Sequence, residues 1–152
     1  MGNMDKSLFK HKIYETVRFH EVDMMGVCNN AVYFNFFEDA RIRYVQDIKA
    51  GYKLKEILEN GSFFIMAHNE CDYIESAFLD DELIIHTRVD FLKNTSFGFK
   101  HLVENKSTGR IIASGGGVVV HINLKTKTPV QIPDEFYAAV QDFEEKVEIL
   151  RK

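Results

Sequence analysis

The chain has 152 residues, 45% of them hydrophobic and 28% charged, a balance typical of soluble globular proteins that excludes disordered, collagen-like and low-complexity material. This length suits a single domain spanning residues 1–152, able to bury roughly 70% of the surface its unfolded form exposes. Nineteen Lys plus Arg against 23 Asp plus Glu leave a net charge of −4, which argues against a general nucleic-acid binder and obliges any anionic ligand to find a local cluster of cations.

The opening MGNMDKSLFK carries no apolar run after its lysines, and Lys6 stands where a myristoylation motif has Ser or Thr. No stretch approaches the roughly 20 apolar residues of a membrane span. Residues 9–19, FKHKIYETVRF, place Phe9, Ile13, Val17 and Phe19 on one parity, the period of a half-buried strand that ends near Asp23. From Ala31 the period changes. Tyr33, Phe36, Phe37, Ala40, Tyr44 and Ile48 recur at steps of three and four, predicting a helix of about 20 residues and about 30 Å. Asn29 or Asn30 caps its start and Gly51 closes its end. Its first half is apolar on nearly all sides, so the helix should be wrapped by other elements.

A short helical turn is predicted over 53–60, then four strands: FFIMAHNECDYI, ELIIHTRVDFL, SFGFKHLVE and RIIASGGGVVVHINL. Turn signals at Asp80-Asp81, Lys93-Asn94-Thr95 and Asn105 to Gly109 separate them. In the second of these, Leu83, Ile85, Val89 and Phe91 alternate with His86, Arg88 and Asp90, one face buried and the other wet or paired. Gly115-Gly116-Gly117 reads as a bend or close approach within a strand, or as a loop. After Pro129 and Pro133, Phe136, Ala139, Val140, Phe143, Val147 and Leu150 form a terminal amphipathic helix opened by Asp134-Glu135. Strand, long apolar helix, four strands, short helix is an α+β order with one helix against a curved antiparallel sheet.

Residues 19–44, FHEVDMMGVCNNAVYFNFFEDARIRY, hold the densest chemical signal. A carboxylate, Asp23, is followed by a Met24-Met25-Gly26 turn and, seven residues on, by Asn30 at the helix start. The first turn of a helix leaves N–H groups unpaired and carries roughly half a positive charge, enough to polarise a carbonyl oxygen that turns negative during attack. A neighbouring carboxylate can attack that carbonyl or take a proton from an attacking water, the two parts of acyl transfer. The same spacing also suits an Asp that merely closes a turn.

The wider pattern Asp23-x-x-Gly26-x-x-Asn29-Asn30-x-x-Tyr33 followed by Phe37-Glu38-x-Ala40-Arg41 resembles the signature of the 4-hydroxybenzoyl-CoA thioesterase branch of the hotdog-fold acyl-CoA thioesterases. Glu70-x-Asp72-Tyr73, Ala77, Asp81-x-Leu83, Val89-x-x-Leu92, Thr95-Ser96-x-x-Phe99 and Thr126-x-x-Pro129 to Ile132-Pro133 extend the resemblance over most of the chain. It implies a five-stranded antiparallel sheet wrapped around one long central helix, with a short C-terminal helix. It also implies a homodimer or homotetramer with sites at subunit interfaces, and hydrolysis of acyl-CoA without metal or other cofactor. Asp23 falls on the family's catalytic carboxylate and Asn30 on its oxyanion donor. Lys93, Asn94, Thr95 and Ser96 fall where relatives meet the nucleotide or pantetheine arm; the acyl end should meet apolar side chains near the helix start, for which Tyr33, Phe34 and Phe37 are candidates, although a Phe-rich helix also reads as plain core. Two positions depart from the pattern: Val27 where many members have His, and Ser76 where they have Pro.

Rival readings attach to single residues. Glu38 is an alternative base, because a second hotdog branch carries its carboxylate on the helix, yet Arg41 three residues on offers it a helical ion pair. Cys28 near a helix start could be a nucleophile or a packed thiol. With Cys71 it reads as a free thiol of a reducing, cytoplasmic setting. His11, His20, His68, His86, His101 and His121 are scattered, and His68-x-x-Cys71 alone does not make a metal site. Arg88, Lys100 and Arg110 are further phosphate-binding candidates. A non-catalytic module binding acyl-CoA or acyl carrier protein, prompted by Val27, and a hotdog hydratase or dehydratase, short of a histidine at the turn, are the competing functions.

Overall fold

The computed structural model describes residues 5–55 and 62–151. Its elements are β1 (His11–Thr16), α1 (Val32–Gly51), β2 (Ser62–Tyr73), β3 (Glu82–Leu92), β4 (Ser96–Asn105), β5 (Ile111–Asn123), α2 (Asp134–Phe143) and a two-residue β6 (Glu148–Ile149). The strands form one sheet in the order β1-β3-β4-β5-β2, antiparallel throughout, and β6 adds a short parallel pairing to β3. This is the α+β arrangement of five main strands around one long helix. Most of the turn predicted over 53–60 lies outside the described residues.

Strand alternation decides which face meets α1. Leu83, Ile85 and Val89 of β3, Phe97, Phe99 and Val103 of β4, and Ala113 and Val119 of β5 are buried. They pack on Tyr33, Phe36, Phe37, Ala40, Tyr44 and Ile48 of the helix. A bulge between Val89 and Phe91 shifts the register, so Leu92 enters the core where Phe91 was expected. His86, on the opposite face, is also buried, because its ring shares a hydrogen bond with Glu104 at 2.9 Å and Lys6 covers the same carboxylate at 3.1 Å.

Gly115, Gly116 and Gly117 lie within β5, which excludes the loop reading. A Cβ on Gly115 would sit 2.5 Å from the Phe37 ring and 2.5 Å from the Glu70 carbonyl oxygen. The absent side chain is what lets helix and edge strand approach.

Three local predictions need correction. The first strand ends at Thr16, since Glu21 folds back onto the Arg18 N–H at 2.8 Å and turns Phe19–Glu21 into a 3-10 helix that leaves Phe19 exposed. The terminal helix stops at Phe143. Glu144 is extended and its Oε2 is engaged by the Tyr44 hydroxyl at 2.5 Å and the Val89 N–H at 2.9 Å, which pulls the following chain onto β3. The long helix is not wrapped on all sides: Asn35, Glu38, Asp39, Ile42 and Arg43 are exposed or half-buried.

Candidate active site

Residues 22–30 form a tight loop between β1 and α1. The Asp23 N–H donates to the Val27 carbonyl at 2.9 Å and the Gly26 N–H to the Asp23 carbonyl at 3.0 Å, with Gly26 in the left-handed region at φ 80°, where a side chain would be strained. Bridges Val22 to Cys28 and Val27 to Phe78 stitch the loop to itself and to the segment before β3. The Asp23 carboxylate is half-buried; Oδ1 accepts from the Met25 N–H at 2.8 Å, and Oδ2 takes no hydrogen bond from the described residues. One oxygen is thus held and the other is available.

The helix start follows directly. Asn29 caps the turn with its side chain, Oδ1 accepting from the Ala31 N–H at 2.9 Å, while its carbonyl accepts from Val32 at 2.9 Å. The N-cap position itself falls on Ala31, not on Asn29 or Asn30, and carries no side-chain cap. The Asn30 N–H, one residue before the N-cap Ala31, has no acceptor among the described residues. Its carbonyl is tied down instead, accepting from the Tyr73 hydroxyl at 2.7 Å.

Asp23 and Asn30 line a single open cleft of about 390 Å³ with Val27, Cys28, Tyr33, Tyr73 and residues 74–76. Tyr33 and Tyr73 meet edge-on, ring centroids 5.1 Å apart, and give the cleft an apolar wall. Arg110 and Glu75 form an ion pair at 2.6 Å beside it, so the Arg110 cation is already neutralised. Tyr73, assigned from sequence only to a strand, joins the site because its parity on β2 aims it at Tyr33; no local motif reveals that contact.

Other candidates separate from this cleft. Cys28 is buried, and burial together with the charges of Glu21 and Asp23 pushes its thiol up to about 11, a poor nucleophile at neutral pH. Glu38 lies further along α1 on the wall of a different groove. It makes no ion pair with Arg41 among the described residues, contrary to the helical pair anticipated. Phe37 stacks on His101 at 4.5 Å inside the core, and Phe34 is half-buried beside it.

Lys93, Asn94, Thr95 and Ser96 turn β3 into β4, with Lys93 N–H donating to Ser96 O at 2.8 Å. The loop of Asp23 packs at the Glu82 end of β3, through the bridge between Val27 and Phe78 just before that strand. The eleven residues of β3 hold the two ends about 35 Å apart. Within one chain the proposed nucleotide-binding turn and the carboxylate are therefore not brought together. Arg88 is committed to the Lys146 carbonyl at 2.8 Å, while Lys100 is exposed. Among the described residues no cluster of three His, Cys, Asp or Glu could hold a metal ion, and no helix is long and apolar enough to cross a membrane.

The family model of the thioesterase-like superfamily matches residues 17–140. The chain is 31% identical over 121 residues to the Bacillus subtilis (strain 168) protein YsmA, covering 79% of this chain and 78% of that one. It is 27% identical to the acyl-CoA thioesterase YbgC of Haemophilus influenzae, covering 81% and 88%. Among solved structures, a thioesterase from Thermus thermophilus complexed with coenzyme A and zinc superimposes with a TM-score of 0.71 at 30% identity, over 88% of this chain and 98% of that one.

Proposed function

The chain belongs to the thioesterase-like superfamily, and from that premise we propose that it hydrolyses acyl-CoA thioesters to free acid and CoA at the Asp23 cleft. The reading rests on one observation: Asp23, with one oxygen free, and the unpaired N–H of Asn30 line the same cavity. A thioester carbonyl seated at the start of α1 points its oxygen at the Asn30 amide, which stabilises the negative charge that develops during attack. Asp23 Oδ2 faces the carbonyl carbon or a water beside it. As nucleophile it forms an anhydride and expels the CoA thiolate, after which water adds to the anhydride, the free acid leaves, Asp23 is restored as a carboxylate and the released proton goes to the thiolate; as general base it takes a proton from water, the C–O bond forms, the C–S bond breaks and the proton passes to the thiolate.

The substrate carrier is CoA, or an acyl carrier protein presenting the same pantetheine arm. The Lys93–Ser96 turn meets that arm from a second copy of the chain, since its own copy holds it at the far end of the sheet; the active form is accordingly a homodimer or a tetramer of such dimers. The chemistry uses no metal or redox cofactor and suits a cytoplasmic enzyme.

Thiol release from a panel of acyl-CoAs tests the reading. Asp23→Asn should lower kcat at least about 100-fold, the scale on which one transition-state contact acts, with the melting temperature retained. Undiminished turnover in Asp23→Ala removes Asp23 from the mechanism and turns attention to Glu38. Label on the Asp23 side chain after single turnover in ¹⁸O-water identifies a nucleophile whose anhydride opens at the enzyme's carbonyl, and a burst of CoA release ahead of free acid in rapid quench identifies an anhydride opened at the acyl carbonyl; neither signal is expected of a general base.

A further inference from the structure

A second cavity, a groove of about 360 Å³, runs between α1 and β2 and is walled by Ile42, Val45, Phe63, Met66, Phe97 and Val119. Arg41 is set into it. The side chain belongs to the buried stripe of α1, where Phe37, Ala40, Tyr44 and Ile48 are apolar, and the residue is 8% exposed. Among the described residues its Nη1 has no hydrogen-bond partner, and Glu38, the acid whose charge reaches it, is exposed and makes no ion pair with it. Burial lowers the guanidinium pKa, the mark of a cation stripped of water without a counter-ion in contact. On β4, stacked behind Phe37 and outside the groove's lining, the buried His101 has no partner for Nε2 among the described residues, its Nδ1 being shared with the Thr87 hydroxyl at 2.9 Å. Burial first, and the charge of Arg41 second, lower the His101 pKa.

We propose that this groove is a subsite for a carboxylate at the far end of the acyl group, held by the Arg41 guanidinium, so that the enzyme takes thioesters of dicarboxylic acids. The proposal rests on the thioesterase reading and deepens it by naming the substrate class. The apolar walls take the methylene chain and the planar fork of arginine matches a carboxylate two bonds at a time. A plain alkyl chain of equal length would fill the same walls but leave the buried charge unpaired, and a site built around a polar group discriminates against analogues that lack its partner. Tyr33, which lines the Asp23 cleft, and Arg41 both belong to the buried stripe of α1, eight residues and about 12 Å apart along its axis. That spacing favours a long acyl chain over a short one.

The test measures kcat/KM for length-matched pairs of monocarboxylic and ω-carboxy acyl-CoAs from adipoyl to hexadecanedioyl. Calorimetry with free dodecanedioic and dodecanoic acids runs beside it. In wild type the ω-carboxy substrate should be favoured at least tenfold at the optimal length. In Arg41→Met the ratio should fall to about one, with Arg41→Lys between. A ratio near one in wild type at every length overturns the proposal and leaves Arg41 as a cation holding internal water; a preference that survives Arg41→Met overturns it as well. If Arg41→Met does not fold, the wild-type ratio and Arg41→Lys decide. If no acyl-CoA is turned over, the thioesterase reading fails by itself. The calorimetry then judges the subsite alone: tighter binding of the diacid supports it and equal binding overturns it.

Discussion

The Tyr73 hydroxyl does more for the candidate site than its place on an edge strand suggests. It donates at 2.7 Å to the carbonyl of Asn30, the residue whose amide is the proposed oxyanion donor, and thereby fixes the peptide plane that follows that residue. Tyr73→Phe keeps the edge-on contact with Tyr33 and removes only the hydroxyl. We expect a stability loss of about 1 kcal/mol, the ordinary worth of one such bond, and a fall in kcat with KM little changed; an equal rise in KM would place Tyr73 in substrate binding instead. Both thiols are pushed up to about 11, chiefly by burial, and are therefore uncharged at neutral pH. Iodoacetamide at pH 7.5 should leave Cys28 and Cys71 unmodified in the folded protein and label both after unfolding, read by intact mass. At this scale the sequence brought Asp23 and Asn30 forward as candidates, less by their spacing, which also suits a plain turn, than by the family signature that runs through them. Tyr73 and the orphaned Arg41 were not visible, since a partner 43 residues away and the lack of any partner leave no trace in spacing.

Elements were legible wherever one face alternates or a stripe repeats. α1 and the four strands after it lie within two residues of their predicted bounds, whereas β1 and α2 each end early where a single glutamate, Glu21 or Glu144, captures backbone N–H groups. The contact between β5 and the rest gives a sharp test. Gly115→Ala would drive a methyl into the Glu70 backbone and the Phe37 ring, and a backbone neighbour cannot rotate away. A loss of about 3 kcal/mol in urea unfolding is expected, the upper part of the range for overpacking. The β1–α1 contact is tunable by pH. Glu15 is held up at about 7, first by burial, then by a hydrogen bond and the charge of Asp39 on α1. A carboxyl whose folded pKa lies above its ordinary 4.5 binds its proton more tightly when folded, so its stabilising effect is complete below about pH 4.5 and fades as pH rises through about 7. Discounted for its half-exposed position, the effect is about 1 kcal/mol. Glu15→Gln, which mimics the protonated acid, should raise the melting temperature at pH 8 and flatten its decline between pH 5 and 8; an unchanged slope would dissociate Glu15 from it.

At the scale of the whole molecule, the two edges of the sheet are unequal. β1 is partly continued by β6, while β2 pairs only on its β5 side along its described length and exposes Phe63, Ile65, Met66 and Tyr73. An edge that long and apolar is a template for another strand, and a two-fold axis through its middle would join two copies into one continuous antiparallel sheet. That operation turns the second copy end for end, which sets its Lys93–Ser96 turn at the same end of the joint sheet as the first copy's Asp23, although a single chain holds them at opposite ends of β3. Catalysis and association should therefore fail together. Ile65→Asp, on the face away from α1, should convert a dimer to a monomer in analytical ultracentrifugation, with kcat/KM for acyl-CoA reduced at least about tenfold and partly recovered at high protein concentration. The main loss should lie in KM, because on the proposed reading the missing contribution is the Lys93–Ser96 turn and not Asp23. A monomeric Ile65→Asp with wild-type KM would show that each chain binds its substrate unaided and would separate the Lys93–Ser96 turn from the site.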